Sequence, residues 1–571
     1  MKKVHVLSVL LIFMGMFIVS CTEDGSTDPQ NESPNCSIVS PRDSTTFFLG
    51  DTITVTLEAS DPDGNISEVR YYLDDLEIGF NDTLPYSLNY YSDSALVGDH
   101  LLKVEVEDNE GAKSNEQISI SILDGIVFND AKLEQRIREV INKPTGGIYP
   151  KDVNKITNFI APGLEITDLT GMEYFTTLEG LYLYNNQIED ISPLGNLVSL
   201  QCLELSFNLI NDISSLCNLI NIESLYLYDN QINDISSLSN LINIEILYLS
   251  YNQINDISSL NSLINIEVLH LSGNQIISIY SLRNMFNLRI LVVDDNQIED
   301  ISPFGNLVNL QFLYLSKNEI VDISSLSNLV NLNDLSLSGN QITDISSLSN
   351  LVNLNELFLY DNQIADISSL NNFVNLEQLL LSNNQIVDIS PLSNLVNLNN
   401  LTLYDNQIVD ISPLSNLVNL RQLLFSNNQI VDISSLSSLV SMETLDIYDN
   451  QIVDMTPLSN LMNIRRLYLN NNQIVDIYPL VQNLGLDDGD YIALYDNPLD
   501  TISINTYIPE LEARGVNVDF SKGVGNKYNQ PILFKYNDVY IKENIENEFN
   551  FKYFEELENN KFWNINKKKT R

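Results

Sequence analysis

Apolar residues recur along most of this chain with a period of 22 residues. From Leu178 onward the repeating unit reads L-x-x-L-x-L-x-x-N-x-I-x-D-I-S-x-L-x-x-L, and fourteen units follow one another at a constant step from Asn186 to Asn472. A fixed period of this kind indicates a repeat architecture in which each unit buries its apolar face against its neighbours. The pattern therefore predicts a solenoid.

Each part of the unit predicts a separate element. The L-x-L segment is a short strand that adds to a parallel sheet on the concave face. The Asn follows at the turn, where an amide that donates and accepts can serve the loops on both sides, which predicts an asparagine ladder. The segment that begins at D-I-S has few residues in which to lead the chain back to the next strand, so we expect short 3₁₀ turns on the convex face. The row of Asp that begins at Asp190, interrupted only by Ser278, is assigned a structural role.

Residues 36–123 change to a period of two. The runs ITVTLEA, EVRYYLD, HLLKVEVED and EQISISIL each place their apolar residues on one face, and turn clusters such as DPDG and DNEG separate them. Short alternating strands with polar turns predict an all-β sandwich. The stretch resembles bacterial Ig-like modules, and that resemblance implies a spacer.

The N-Q-I-x-D-I-S-P-L unit resembles the internalin type of bacterial leucine-rich repeat, over roughly residues 130–520. The resemblance implies a leucine-rich-repeat solenoid with a helical N-terminal cap, which DAKLEQRIREVI matches, and a closing cap after Asn497. Internalins usually carry Ig-like material after the repeats and a wall-attachment signal at the C-terminus. Here the Ig-like sequence comes first.

The first twenty residues have the form of a secretory signal. A short basic start precedes an apolar run that ends in the lipobox-like IVSC, whose last residue is Cys21. By that resemblance Cys21 is lipidated, which predicts export and a lipid anchor at the bacterial cell envelope, on the outer membrane or cell surface. An ordinary signal with a chance Cys is the alternative. The predicted order is a signal peptide (1–20), lipidated Cys and polar linker (21–35), Ig-like sandwich (36–123), helical cap (124–165), leucine-rich repeats (166–497), C-terminal cap (498–520) and a tail rich in Asn, Lys and aromatic residues (521–571).

The charge narrows the classes of partner. The formal net charge is −47, from 76 acidic and 29 basic residues. Such a surface repels phosphate backbones and anionic headgroups, so we expect no nucleic acid and no membrane contact beyond the lipid. With three His and none of the motifs H-E-x-x-H, G-x-S-x-G or G-x-x-x-x-G-K, the sequence predicts neither an enzyme nor a cofactor.

The predicted function rests on the outward-facing positions of the repeats, whose residues the fold does not require. Two outward columns on the concave face are rich in Tyr, with Asp and Ser beside them, and such surfaces are typical of protein recognition. A protein ligand is the main prediction; a polysaccharide adhesin, an architectural envelope protein without a ligand, and drift after duplication are the alternatives. The predicted ligand-binding residues are Tyr182, Tyr184, Tyr226, Tyr228, Tyr248, His270, Tyr314, Phe358, Tyr360, Tyr404, Tyr448 and Tyr468.

The turn DPDGN contains the one weak candidate for a metal site. Asp61, Asp63 and Asn65 alternate as oxygen ligands do in a calcium loop, but the twelfth position is Tyr72, so the loop is not an EF-hand. A turn-stabilising role is the main prediction and Ca²⁺ the alternative. Asp108, in the DNEG turn, joins such a site only if the two turns meet.

Overall fold

A computed structural model describes residues 31–92 and 97–520. The predicted signal peptide, the lipidation of Cys21 and the tail 521–571 lie outside the described residues. The chain divides into two compact units. The first comprises the residues up to Ile156 together with Thr170–Thr177. The second unit comprises Thr157–Leu169 and the residues from Leu178 onward.

Among its described residues, the first unit contains eight strands in two sheets, with the orders β1-β3-β6 and β2-β8-β7-β4-β5. Ile53 and Val55 from the smaller sheet share one core with Val69, Leu102 and Ile120 from the larger sheet. The alternating faces predicted from the sequence are therefore confirmed, and so is the sandwich. The strands are β1 (Asn35–Ser40), β2 (Thr45–Phe48), β3 (Thr52–Ser60), β4 (Ile66–Leu73), β5 (Leu76–Asn81), β6 (Ser87–Tyr91), β7 (Gly98–Asp108) and β8 (Lys113–Leu123).

Two helices follow in the same unit, α1 (Ala131–Ile141) and α2 (Pro150–Val153). Asp130 caps α1, because its Oδ1 accepts hydrogen bonds from the main-chain nitrogens of the second and third helical residues at 2.9 and 3.0 Å. The helix ends at Asn142, which adopts the left-handed conformation (φ 53°). Two residues separate the last helical residue, Ile141, from the sequence PTGG.

In the part of the second unit that the structure describes, seventeen short strands, β9 to β25, form a parallel sheet. Their order in the sheet is their order in the sequence, with β9 paired to β10 and β25 paired to β24. Leu291 pairs with Leu313, and the same 22-residue offset relates most neighbouring strands. The first and last strands lie inside the segments predicted as caps. The strands are β9 (Asn158–Ile160), β10 (Gly180–Tyr182), β11 (Cys202–Glu204), β12 (Ser224–Tyr226), β13 (Ile246–Tyr248), β14 (Val268–His270), β15 (Ile290–Val292), β16 (Phe312–Tyr314), β17 (Asp334–Ser336), β18 (Glu356–Phe358), β19 (Gln378–Leu380), β20 (Asn400–Thr402), β21 (Gln422–Leu424), β22 (Thr444–Asp446), β23 (Arg466–Tyr468), β24 (Tyr491–Ala493) and β25 (Asn517–Asp519).

The predicted asparagine ladder is present. Asn318 is buried; its Oδ1 accepts from the nitrogen of Ile298 at 3.0 Å. Its Nδ2 donates to the carbonyl oxygens of Val293 and Leu315 at 3.0 and 3.1 Å. One amide thus joins its own coil to the preceding coil. Asn497, which follows Asn472 by 25 residues instead of 22, makes the equivalent bonds.

The return segments are 3₁₀ turns, as predicted, and the Asp row accepts hydrogen bonds from the first residue of most of them. Asp322 Oδ1, for example, accepts from the nitrogen of Ser324 at 2.8 Å, which confirms the structural role of the row. The turns are Met172–Tyr174 in the first unit and, in the second, Ser192–Leu194, Ser214–Asn218, Ser236–Asn240, Ser258–Ser262, Tyr280–Asn284, Ser302–Asn306, Ser324–Asn328, Ser346–Asn350, Ser368–Leu370, Ser390–Asn394, Ser412–Asn416, Ser434–Ser438 and Thr456–Asn460.

Ser278→Asp is expected to stabilise the protein. Ser278 Oγ is 3.5 Å from the nitrogen of Tyr280, whereas a carboxylate reaches that nitrogen at 2.8 Å elsewhere in the row. We expect a gain of roughly 0.5–1 kcal/mol in the free energy of unfolding at pH 7, measured by denaturant titration. Main-chain hydrogen bonding lowers the pKa of row members such as Asp344 below 3.8, so the gain should be lost as the pH falls through that lowered pKa. An equal gain at pH 7 and pH 2.5 would contradict a carboxylate cap.

Three helical segments close the described chain: α3 (Tyr478–Gln482), a π-helical turn (Ser503–Tyr507) and α4 (Ile508–Ala513). Arg514 donates from Nη2 to the carbonyl oxygen of Val481 at 2.7 Å, which fixes α4 against the last full coil. Ile508 and Leu511 are buried there. Within the described part of the chain, no helix is both long and apolar enough to cross a membrane.

Candidate recognition surface on the sheet

Each strand of the second unit has three residues, and the alternation of side chains decides which of them face outward. The central residue, such as Leu291, points into the core, so its two neighbours Ile290 and Val292 lie on the other face of the sheet. We call this the concave face. The sequence-based prediction used the third column of strand residues and missed the first, although the same alternation places both on one face.

With both columns included, an apolar patch runs across β12 to β16. The side chains contact one another between adjacent strands and form a cluster separate from the solenoid core. The members of this cluster are about 22 residues apart in the sequence, so no single repeat unit shows them as a group. The apolar patch consists of Tyr226, Ile246, Tyr248, Val268, Ile290, Val292, Phe312 and Tyr314.

Aromatic rings pack side by side within the patch. The ring of His270 stacks on that of Tyr248, with centroids 4.0 Å apart and planes at 17°, and Tyr226 contacts Tyr248 at 5.1 Å. Burial lowers the pKa of His270 to about 3, so its imidazole is neutral at physiological pH. His270 therefore extends the patch as an uncharged ring.

Four of the twelve predicted ligand-binding residues are buried on the assembled face. Tyr314 is only 2% exposed, and Tyr248, Phe358 and Tyr360 are also buried. Strands in a sheet lie about 4.8 Å apart, so large side chains on adjacent strands cover each other's flanks. These four residues offer edges rather than whole rings to a ligand.

The other predicted residues keep more surface, and they do not form one continuous row. Tyr184 is 43% exposed; Tyr228 is partly buried between Phe207 and Tyr251. A second, smaller cluster lies farther along the sheet and contains Phe358, Tyr360 and Leu380. The remaining predicted residues are partly buried: Tyr182, Tyr226, His270, Tyr404, Tyr448 and Tyr468.

Carboxylates border the apolar patch at both ends and along one side. Glu204 pairs with Tyr226 across β11 and β12, and Asp334 pairs with Phe312 across β16 and β17. Asp294 follows β15, where its Oδ1 accepts from the nitrogen of Ser316 at 2.6 Å. Burial raises the pKa of Asp294 to about 7 and that of Asp334 to about 6.

Asp294→Asn is expected to stabilise the protein at high pH. The folded protein holds a proton on Asp294 up to about pH 7, whereas the unfolded carboxyl ionises near 3.8, so this residue lowers stability as the pH rises between those values. We expect a gain on the order of 1–3 kcal/mol at pH 8 and almost none at pH 4, from denaturant titrations across the range. Asp295→Asn, at the exposed neighbouring position, is the control. Equal curves for Asp294→Asn and the parent would contradict the raised pKa.

A second set of apolar side chains was missed by the sequence interpretation. One residue per coil, just before the strand, stands 39% to 52% exposed on another side of the solenoid. Hydrogen bonds from a row of asparagine amides hold the main chain at these residues. Asn331 Nδ2, for example, donates to the carbonyl oxygen of Val308 at 2.8 Å. This exposed row is Val198, Ile220, Ile242, Ile264, Phe286, Val308, Val330, Val352, Val374, Val396, Val418, Val440 and Met462.

Two family models match the chain. The model described as a bacterial Ig domain matches residues 34–104. The model described as leucine-rich repeats in two copies matches seven segments, and no curated protein sequence matches the chain. The seven segments are 176–218, 220–262, 242–284, 286–328, 330–372, 374–416 and 418–460.

Solved structures with similar folds are leucine-rich-repeat proteins. An internalin from Listeria monocytogenes, inlF, is 38% identical over 56% of this chain and 95% of its own, with a TM-score of 0.55. A leucine-rich-repeat protein from Leptospira interrogans is 24% identical over 65% of this chain and 97% of its own, with a TM-score of 0.59. The functional domain of InlJ from Listeria monocytogenes is 18% identical over 64% and 80%, with a TM-score of 0.55. The last two similarities show the fold alone.

Proposed function

Because this chain belongs to the internalin-type bacterial leucine-rich-repeat proteins, we propose that it recognises a protein partner through the apolar patch and its carboxylate border. Leucine-rich-repeat proteins of this type typically mediate protein–protein recognition. The observation that carries the proposal is a continuous aromatic and aliphatic cluster on the face of the sheet opposite the core. Such a cluster, rimmed by polar groups, is the arrangement found at the centre of protein interfaces.

Charge defines the partner further. The chain carries a formal net charge of −47, and Glu204, Asp294 and Asp334 surround the patch. A partner with an apolar segment flanked by Lys or Arg would therefore match both features of the surface. A basic side chain beside Asp294 would favour the ionised carboxylate, so partner binding should release a proton and weaken below pH 7.

Ring contacts favour a protein over a polysaccharide. A sugar-binding platform offers whole ring faces, but Tyr248 and His270 stack on each other at 4.0 Å, and Tyr314 is almost fully covered. The remaining alternative, an architectural protein without a ligand, is decided by experiment. Export and attachment through Cys21 complete the proposal: the anchor would hold the protein at the bacterial cell envelope, with the Ig-like module as a spacer.

The test is affinity capture with the chain from residue 22 onward. Native protein, a Phe312→Ser variant and a matched Phe286→Ser variant are immobilised in parallel and offered envelope protein, host protein and a glycan array. We expect a protein retained by the native chain and by Phe286→Ser but lost from Phe312→Ser. Retention of a glycan, or no ligand for any folded form, would contradict the proposal.

A further inference from the structure

Two acidic turns of the Ig-like module meet. The DPDGN turn precedes β4 and the DNEG turn joins β7 to β8, and the antiparallel pairing of β4 with β7 brings Ile66 opposite Asp108. Asn65 donates from its nitrogen to Asn109 Oδ1 at 2.7 Å, and Asn109 donates in return to the carbonyl oxygen of Asn65 at 2.9 Å. The condition set by the sequence for Asp108 to approach Asp61 and Asp63 is therefore met.

Asp61 is the unusual residue in this pair of turns. Both of its carboxylate oxygens are buried, each with less than 1 Å² of exposed surface, and neither accepts a hydrogen bond of ordinary geometry. Burial, with the charges of Asp63 and Asp108, raises the pKa of Asp61. The main chain of Asp63 offsets part of this rise in pKa, but a buried carboxylate without a well-formed hydrogen bond is costly unless a cation compensates it.

Gly64 leaves a small space in front of this carboxylate. A Cβ atom at Gly64 would stand 2.5 Å from Asp61 Oδ2 and 2.5 Å from Asn109 Oδ1, so the two oxygens converge over the glycine. Gly64 is not in the left-handed region, so its backbone does not require glycine. The absence of a side chain is what keeps the space between the oxygens open.

The surrounding hydrogen bonds hold the other acids in place. Asp63 Oδ2 accepts from the nitrogen of Glu32 at 3.0 Å, and Asp108 Oδ2 accepts from Asn31 Nδ2 at 2.9 Å. Asp108 Oδ1 accepts from the nitrogens of Glu110 and Ala112 at 2.7 and 3.0 Å. The Asp108 carboxylate thus accepts from three groups, and it contributes negative charge rather than a free ligand.

We propose that the two turns bind a calcium ion, with Asp61 as the principal ligand and Asp63 and Asn109 as oxygen donors beside it. Calcium suits irregular all-oxygen sites that combine carboxylate and amide donors, whereas magnesium demands near-octahedral geometry. Among the described residues, no three Asp, Glu, His or Cys side chains form a metal-binding group by themselves. Amide and main-chain oxygens therefore have to complete the shell.

A cation here would link three segments of the chain. It would compensate Asp61 and hold the DPDGN turn against Asn109 in the DNEG turn. Through Asp63 it would also fix Glu32, where the chain enters the module. The proposal concerns the spacer and is independent of the recognition surface on the sheet.

The test is calorimetric titration of CaCl2 into the chain from residue 22 onward. Native protein is expected to show one site with a dissociation constant on the order of 10⁻⁴–10⁻³ M, as in extracellular calcium modules. Asp61→Asn and Gly64→Ala should each weaken that site at least about tenfold, the first by removing charge and the second by filling the space. Asp75→Asn, an exposed acid at the other end of β4, is the matched control for weak binding to an acidic chain and should bind as the native protein does.

Thermal unfolding separates a metal ligand from a turn residue. Calcium should raise the unfolding temperature of the native protein and leave that of Asp61→Asn unchanged, while in EDTA the variant should be at least as stable as the native protein. The proposal is overturned by native binding no tighter than that of Asp61→Asn, by equal affinity for magnesium, or by an Asp61→Asn variant that is destabilised in EDTA.

Discussion

Replacing Asn318 with alanine is expected to destabilise the solenoid by roughly 3–6 kcal/mol. The substitution leaves the nitrogen of Ile298 and the carbonyl oxygens of Val293 and Leu315 without their partner, in a place that water does not reach. Each buried polar group left unsatisfied costs about 1–3 kcal/mol. Guanidinium titration followed by circular dichroism measures the loss, because the helical turns and strands unfold with the coils.

The matched control is Asn331→Ala. Asn331 donates a single hydrogen bond, to the carbonyl oxygen of Val308 at 2.8 Å, and it lies at an exposed position where water can replace it. We expect a cost below about 1 kcal/mol. Equal losses of stability for the two variants would contradict this account. They would show that a buried ladder asparagine stabilises the coils no more than an exposed one does.

The second large effect concerns partner affinity. Phe312→Ser removes an aromatic side chain from the edge of the apolar patch, next to Asp334, and should weaken binding of the captured partner by roughly 30- to 1000-fold. A large aromatic side chain that packs against a partner as an interface hot spot contributes about 2–4 kcal/mol on truncation. Surface plasmon resonance with the purified partner gives the affinity, and circular dichroism establishes that the variant is folded.

Phe286→Ser provides the comparison for this measurement. Phe286 is also a phenylalanine, but it stands 51% exposed in the exposed row rather than in the patch. Its replacement should change the affinity less than about threefold, because it lies outside the proposed interface. A larger loss for Phe286→Ser than for Phe312→Ser would move the recognition surface to the exposed row.

The repeat fold was predictable because its determinants are local and periodic. Leu291, Asn318 and Asp322 each belong to a column whose chemistry is the same in nearly every coil, so one coil explains the others. The ladder, the caps and the parallel register all follow from that column structure. The Ig-like sandwich was equally predictable from the sequence, since alternation of apolar residues identifies the buried face of each strand.

The candidate surface was predictable only in part, because it depends on contacts between coils. Tyr314 is buried by neighbours that lie about one period away in sequence, so its own coil gives no sign of its exposure. Phe312 lies outside the tyrosine columns from which the surface is predicted, although it alternates with the core leucine as Tyr314 does. The raised pKa of Asp294 likewise arises from burial on the assembled face.

The turn pair in the Ig-like module shows the same limit. Asp61 and Asp63 were visible as a candidate, but Asn109 lies more than forty residues away, and the pairing of β4 with β7 is what joins them. The importance of Gly64 follows from the distance of its missing Cβ to two oxygens. Neither property can be read from the composition of a single turn.

Site-specific photocross-linking tests the recognition surface most directly. A benzophenone amino acid is placed at position 312 in one protein and at position 286 in another, and each is irradiated with the captured partner. The account predicts a covalent adduct from position 312, in the patch, and none from position 286, in the exposed row. An adduct from position 286 alone would contradict recognition through the concave face.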